Sequence, residues 1–106
     1  MPKVKITVVK GFSAEEVFGD DIPDYFPENF RSPCWRHPVG QEFIAEKFNC
    51  PEGFCNWAYA DIQKDIADLE LDSPYYDKWM RGKKVQYVSC TDGMRPVVFR
   101  LERIVD

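Results

Sequence analysis

Residues 56–69 read NWAYADIQKDIADL. Ala58, Ile62, Ile66 and Leu69 recur at spacings of four, four and three, while Asp61, Lys64, Asp65 and Asp68 lie off that stripe. This spacing predicts an amphipathic helix from about Asn56 to Leu69, with one apolar face and one solvated face. An apolar stripe needs a cover, and the segments on either side alternate as strands do.

Upstream, Val4, Ile6 and Val8 alternate with Lys3, Lys5 and Thr7, which predicts a first strand with one face buried, ended by Gly11. Gly40 to Glu46 reads as a short second strand carrying Phe43 and Ala45, or else Ile44, inward, before a turn at Pro51-Glu52-Gly53. Downstream, Val85, Tyr87 and Ser89 begin a third strand. Asp92-Gly93 is a hairpin signal, and Val97, Phe99 and Leu101 alternate along a last strand. Strands grouped around one long helix predict an α+β fold. The expectation is a small, mostly antiparallel sheet of about four strands packed against one main helix, in a single domain spanning residues 1–106, with a long ordered N-terminal loop.

Ser13-Ala14-Glu15-Glu16 fits a capping box, with Phe12 and Val17 placed as a hydrophobic staple and Gly19 as the stop of a short helix. Ser73-Pro74 places an N-cap and a first-turn proline ahead of YYDKWMR, with Gly82 beyond, which predicts a second short helix. Trp79 there is expected in the core. In residues 20–38, Pro23, Pro27, Pro33 and Pro38 interrupt every helical or strand register. Tyr25, Phe26, Phe30 and Trp35 still need packing, so this stretch reads as an ordered loop laid against the core or a partner.

A chain of 106 residues with 44% hydrophobic and 15% aromatic content can bury a single core. Its net charge of -4 argues against a general nucleic-acid binder, because phosphate neutralisation needs a broad positive field. No apolar run approaches membrane-spanning length, and MPKVKITVVKGF alternates charge with apolar residues rather than forming a signal peptide. The expected location is the cytoplasm, where thiols stay reduced and cysteines are free, metal-bound or catalytic.

KVKITVVKG at the start, HPVGQEF, PEGFCNWAYADI, and VSCTDGMRPVVFRLERI at the end occur in the same order as in a family that these stretches resemble. It is an uncharacterised family of small cysteine-containing proteins from anaerobic bacteria and archaea. The resemblance implies a compact α+β fold with cysteines at positions like Cys34, Cys55 and Cys90, and it implies no activity. Two departures stand out: the family often has Cys-x-x-Gly-His where Cys34 stands one residue closer to His37, and tends to Cys-Pro-Asp where this chain has Cys90-Thr91-Asp92. The stretch from about Phe12 to Pro33 looks like an insertion relative to the family.

Chemistry points to four cysteines and the only histidine: Cys34-x-x-His37, Cys50, Cys55 and Cys90. Zinc takes four tetrahedral thiolate and imidazole ligands, so Cys34, His37, Cys55 and Cys90 are the candidate metal set. Cys55 falls at a helix start, Cys90 at a strand end, and Cys34 with His37 in the loop feeding the second strand, three places that one end of a small sheet could collect. Only Cys34-x-x-His37 has the close spacing of structural zinc sites, and buried reduced cysteines that serve as small hydrophobes fit the same sequence. His37, a loop histidine beside two prolines, could equally cap a backbone carbonyl. A Cys–His pair could also act as nucleophile and base, with Cys55 at the helix start, where the backbone N–H groups favour the thiolate. Cys50 and Cys55 are not a C-x-x-C pair, so a thioredoxin-like dithiol is not supported.

Asp20, Asp21, Asp24 and Glu28 form an acidic cluster without EF-hand spacing, and the interleaved aromatics suit a protein interface. There is no phosphate-binding glycine loop, G-x-S-x-G elbow or H-E-x-x-H helix. Three functions stay open: a non-catalytic accessory protein that binds a metal, with zinc foremost, or senses redox state through the Cys/His set; an interaction module using loop 20–33; or a small Cys/His-dependent enzyme. Sheet edges or the aromatic loop offer a surface for a homodimer or a protein partner.

Overall fold

The computed structural model describes residues 2–73 and 80–104. Its elements are β1 (Lys3–Gly11), α1 (Ala14–Phe18), a 3-10 turn (Glu28–Phe30), β2 (Glu42–Ala45), α2 (Asn56–Glu70), β3 (Val85–Ser89) and β4 (Val97–Ile104). The helix expected after Ser73 lies mostly outside the described residues, and so does Trp79. The four strands form one sheet in the order β2-β1-β4-β3, every neighbouring pair antiparallel. The fold is therefore α+β, as the alternation around the helix predicts. Among the described residues no helix is long and apolar enough to cross a membrane.

The sheet buries one face. Val4, Ile6 and Val8 from β1 and Val97, Phe99 and Leu101 from β4 are buried, and α2 lays Ala58, Ile62, Ile66 and Leu69 against them. Burying each of these larger aliphatic side chains contributes roughly 1.5–3 kcal/mol, so the α2 stripe is a main source of stability. On β2 the inward residues are Phe43 and Ala45, with Ile44 exposed. The opposite sheet face carries charge, with Lys5 to Glu42 at 3.7 Å and Arg100 to Glu102 at 3.1 Å. These half-exposed pairs add at most about 1 kcal/mol each.

Three local devices shape the end of the sheet where β1 and β3 finish and β2 and β4 begin. The β1–β4 register slips between Val8 and Lys10, which turns Val9 outward as a bulge. Just ahead of the bulge, Val8 N–H donates to the Gln41 carbonyl and Gly40 N–H to the Val8 carbonyl, holding residues 40 and 41 beside β1. Gly40 sits at φ 91°, a conformation that a side chain at Cβ resists. Second, Phe54 N–H donates to the Pro51 carbonyl, and Gly53 takes the positive φ that the third position of a type II turn requires. That turn drives Phe54 into the core and starts α2 at Cys55.

The third device differs from the simple hairpin expected at Asp92-Gly93. The connection runs from Cys90 to Pro96, because Asp92 Oδ1 accepts N–H bonds from Met94 at 2.9 Å and Arg95 at 3.1 Å and winds the chain round its own side chain. Near the N-terminus the capping box is present: Ser13 Oγ accepts Glu16 N–H, and Glu16 Oε1 accepts Ser13 N–H. Val17, however, is exposed. The proline-rich stretch folds partly on itself, Phe18 meeting Phe26 edge to face at 5.4 Å. It is tied back through Ala14 N–H to the Arg31 carbonyl. Tyr25 and Trp35 are 79% and 80% exposed, so these two aromatics do not complete the core.

Candidate functional site: a thiol-lined pocket

The loop ahead of β2, the start of α2 and the Asp92 loop meet at one end of the sheet around a cavity of about 420 Å³. One wall is Cys34, Arg36 and His37. The start of α2 supplies Cys55, Trp57 and Ala58, the loop after β3 supplies Cys90 to Arg95, and Val97 and Phe99 form the floor. Cys34, His37, Cys55 and Cys90, distant in sequence, therefore line the same space. Cys50 does not line it. Its Sγ faces the carbonyls of Pro51 and Phe54 at 3.6 and 3.8 Å, and burial, then the nearby Cys55, pushes this thiol's pKa up. All four cysteines are free and half-buried.

His37 is 3% exposed and boxed by aromatic rings. Phe54 stacks on it at 4.8 Å, with Phe43 and Phe99 meeting it edge to face at 5.5 and 5.8 Å. Its Nε2 accepts the N–H of Cys55 at 3.2 Å, which fixes the proton on Nδ1, and Nδ1–H donates to Gln41 Oε1 at 3.1 Å. Both nitrogens of a neutral imidazole are thus engaged. Burial lowers the His37 pKa, outweighing the Gln41 bond that favours the charged form, and Arg36 lowers it further. Its partners are a side-chain amide and a backbone N–H, not the backbone carbonyl that the sequence suggests.

That backbone N–H belongs to the N-cap of α2. Cys55 has extended φ and ψ, its side chain makes no capping bond, and no acidic residue stands in the first turn of α2. The helix therefore begins without the side-chain acceptor that usually satisfies its first N–H groups. Cys90 is placed from the other side. Its N–H donates to the Val97 carbonyl at 3.1 Å, and Val97 N–H returns to Cys90 Sγ at 3.3 Å, so sulfur stands where a strand carbonyl would. Thr91 N–H then donates to Asp61 Oδ2 at 2.8 Å, tying the loop to α2.

Arg95 crosses the loop toward the Phe30 ring, 5.1 Å from its centroid. Its buried Nε has no hydrogen bond, since Asp92 Oδ2 stands 4.0 Å away. Trp57 is 75% exposed at the rim, beside partly exposed Met94. Sequence reasoning singled out neither Trp57 nor Met94 nor Arg95 as site residues, although the run CTDGMR after Cys90 carries two of them.

Among the described residues no group of three or more His, Cys, Asp or Glu side chains is arranged to hold a metal ion. For His37 to act as a ligand, its Nε2 would have to release the Cys55 N–H or its Nδ1 the proton given to Gln41. Comparison with family models, curated proteins and solved structures returns no match.

Proposed function

We propose that this is a non-catalytic accessory protein that senses redox state through the thiols of Cys34, Cys55 and Cys90. The observation that carries this reading is their convergence, with His37, on one pocket while all remain free thiols. A reducing compartment such as the cytoplasm suits that state. Binding of a soft ion such as zinc by the Cys34, His37, Cys55 and Cys90 set is the other use of the same convergence. The engagement of both His37 nitrogens favours the thiol-redox use. In this reading His37 is a positioning residue: it fixes the Cys55 backbone and thereby the start of α2.

The test is anaerobic purification followed by metal analysis, then mild oxidation with diamide and intact-mass counting of free thiols. Metal-free protein that loses two pocket thiols as a disulfide, and regains them with dithiothreitol, supports redox sensing. About one equivalent of zinc, retained against dialysis and lost in Cys34→Ser and Cys90→Ser, would replace it with the metal reading. Protein that is metal-free and keeps every thiol after oxidation overturns both.

The exposed Tyr25 and Trp35 support a second reading, an interaction surface on the proline-rich loop, for a protein partner or a second copy of this chain. Tyr25→Ser with Trp35→Ser would leave folding and thiol chemistry unchanged while abolishing any concentration-dependent association seen by sedimentation.

A further inference from the structure

The pocket is far larger than an ion needs, and its charge is not neutral in pattern. A volume of about 420 Å³ falls within the range of sites for organic ligands. Its charged lining is Arg36, Arg95 and Asp92, with His37 neutral. Asp92 has one oxygen committed to the loop N–H groups of Met94 and Arg95. Its other oxygen stands 4.0 Å from the buried Arg95 Nε, an ion pair without a hydrogen bond. Two guanidinium groups against one carboxylate, beside three thiols and an exposed indole, describe a particular kind of guest.

Resting on the redox reading above, we infer that the pocket takes a low-molecular-weight disulfide bearing carboxylates and holds half of it as a mixed disulfide on Cys55. The carboxylates pair with Arg36 and Arg95, guanidinium being suited to that planar acceptor. Trp57 covers the ligand's apolar part from the rim. Cys55 is the attacking sulfur because its side chain makes no capping bond, whereas Cys90 Sγ is engaged by Val97 N–H. In the step, the Cys55 sulfur loses its proton and attacks one ligand sulfur. A protein–ligand S–S bond forms, the ligand's own S–S bond breaks, and the departing half leaves as a thiolate that takes up a proton from solvent. Cys55 is oxidised, the departing half is reduced, and no further oxidant is required.

The experiment treats the reduced, full-length protein separately with oxidised glutathione, neutral hydroxyethyl disulfide and cationic cystamine, and follows adducts by intact mass and peptide mapping. The expected result is a single adduct on Cys55, formed about tenfold faster with oxidised glutathione than with cystamine, the gap narrowing in salt. Arg36→Gln, an exposed position, should reduce that preference without altering the folded spectrum. Cys55→Ser should abolish the adduct. Equal or faster reaction with cystamine, or labelling first at Cys34, Cys50 or Cys90, overturns the inference. If diamide still oxidises the pocket thiols reversibly in that case, the redox reading stands without this ligand; if it does not, both fall.

Discussion

The two ends of α2 are built in opposite ways. At its C-terminal end, Arg103 Nη1 donates to the carbonyls of Leu69 and Glu70, satisfying groups that a helix leaves open. The Glu70 carboxylate accepts Phe48 N–H at 3.0 Å, and Tyr59 hydroxyl donates to the Phe48 carbonyl at 2.7 Å. Those bonds clamp a turn in which Lys47 and Phe48 both hold positive φ, 54° and 60°, without glycine. Such a conformation costs of order 1 kcal/mol per residue and persists only where neighbours enforce it. At its N-terminal end the same helix has no side-chain cap, an open cavity and three thiols. One end has its polar groups bonded within the fold, and the other borders the thiol-lined pocket. That contrast separates stability from function along a single element.

The largest effect that would test it is at the closed end. Arg103→Ala strands two helix carbonyls and should cost about 2–3 kcal/mol in urea denaturation, with thiol reactivity in the folded protein unchanged. A change in the reactivity of Cys55 or Cys90 would show that the two ends are coupled. At the open end, His37→Phe keeps the aromatic box but removes the acceptor of Cys55 N–H. A loss of about 1–2 kcal/mol is expected, together with altered oxidation of Cys55, which a purely structural histidine would not produce.

The ends should also respond to pH in opposite senses. Burial holds the His37 pKa below its ordinary 6.5, so the unfolded chain binds the proton more readily. Its contribution is complete above about pH 6.5 and is lost as pH falls toward the folded value. Burial raises Glu70 above its ordinary 4.5, against the Phe48 N–H that lowers it and with Glu46 raising it further. Glu70 therefore weakens the fold as pH rises from 4.5 through the raised value. Denaturation midpoints across this range should lose their acid-side fall in His37→Phe, and Glu70→Gln should remove the rise toward low pH. Identical profiles in wild type and both variants would refute the assignments.

Much of this contrast was legible in the sequence, and for physical reasons some of it was not. The period of Ala58, Ile62, Ile66 and Leu69 and the alternation of β1 and β4 predict the α+β core, because burial dominates there. The gathering of Cys34, His37, Cys55 and Cys90 at one end follows from their places at element ends once the strands pair antiparallel. What periodicity cannot show is the path of individual side chains. The bond from Cys55 N–H to His37 depends on the β1 bulge and Gly40, and the role of Asp92 depends on a loop longer than its Asp-Gly pair suggests. No sequence pattern marks Arg103 as the group that caps the C-terminal end of α2.

The smallest effect concerns Cys50. Because its thiol faces backbone carbonyls and lies outside the pocket, Cys50→Ala should shift stability by less than about 1 kcal/mol and leave pocket oxidation intact.

The most direct test of the central claim is residue-resolved thiol mapping of the native protein after mild, reversible oxidation. The prediction is that modification falls on two of Cys34, Cys55 and Cys90 and is reversed by dithiothreitol, with Cys50 still reduced. Modification of Cys50 ahead of the pocket thiols, or none until the protein unfolds, would contradict it.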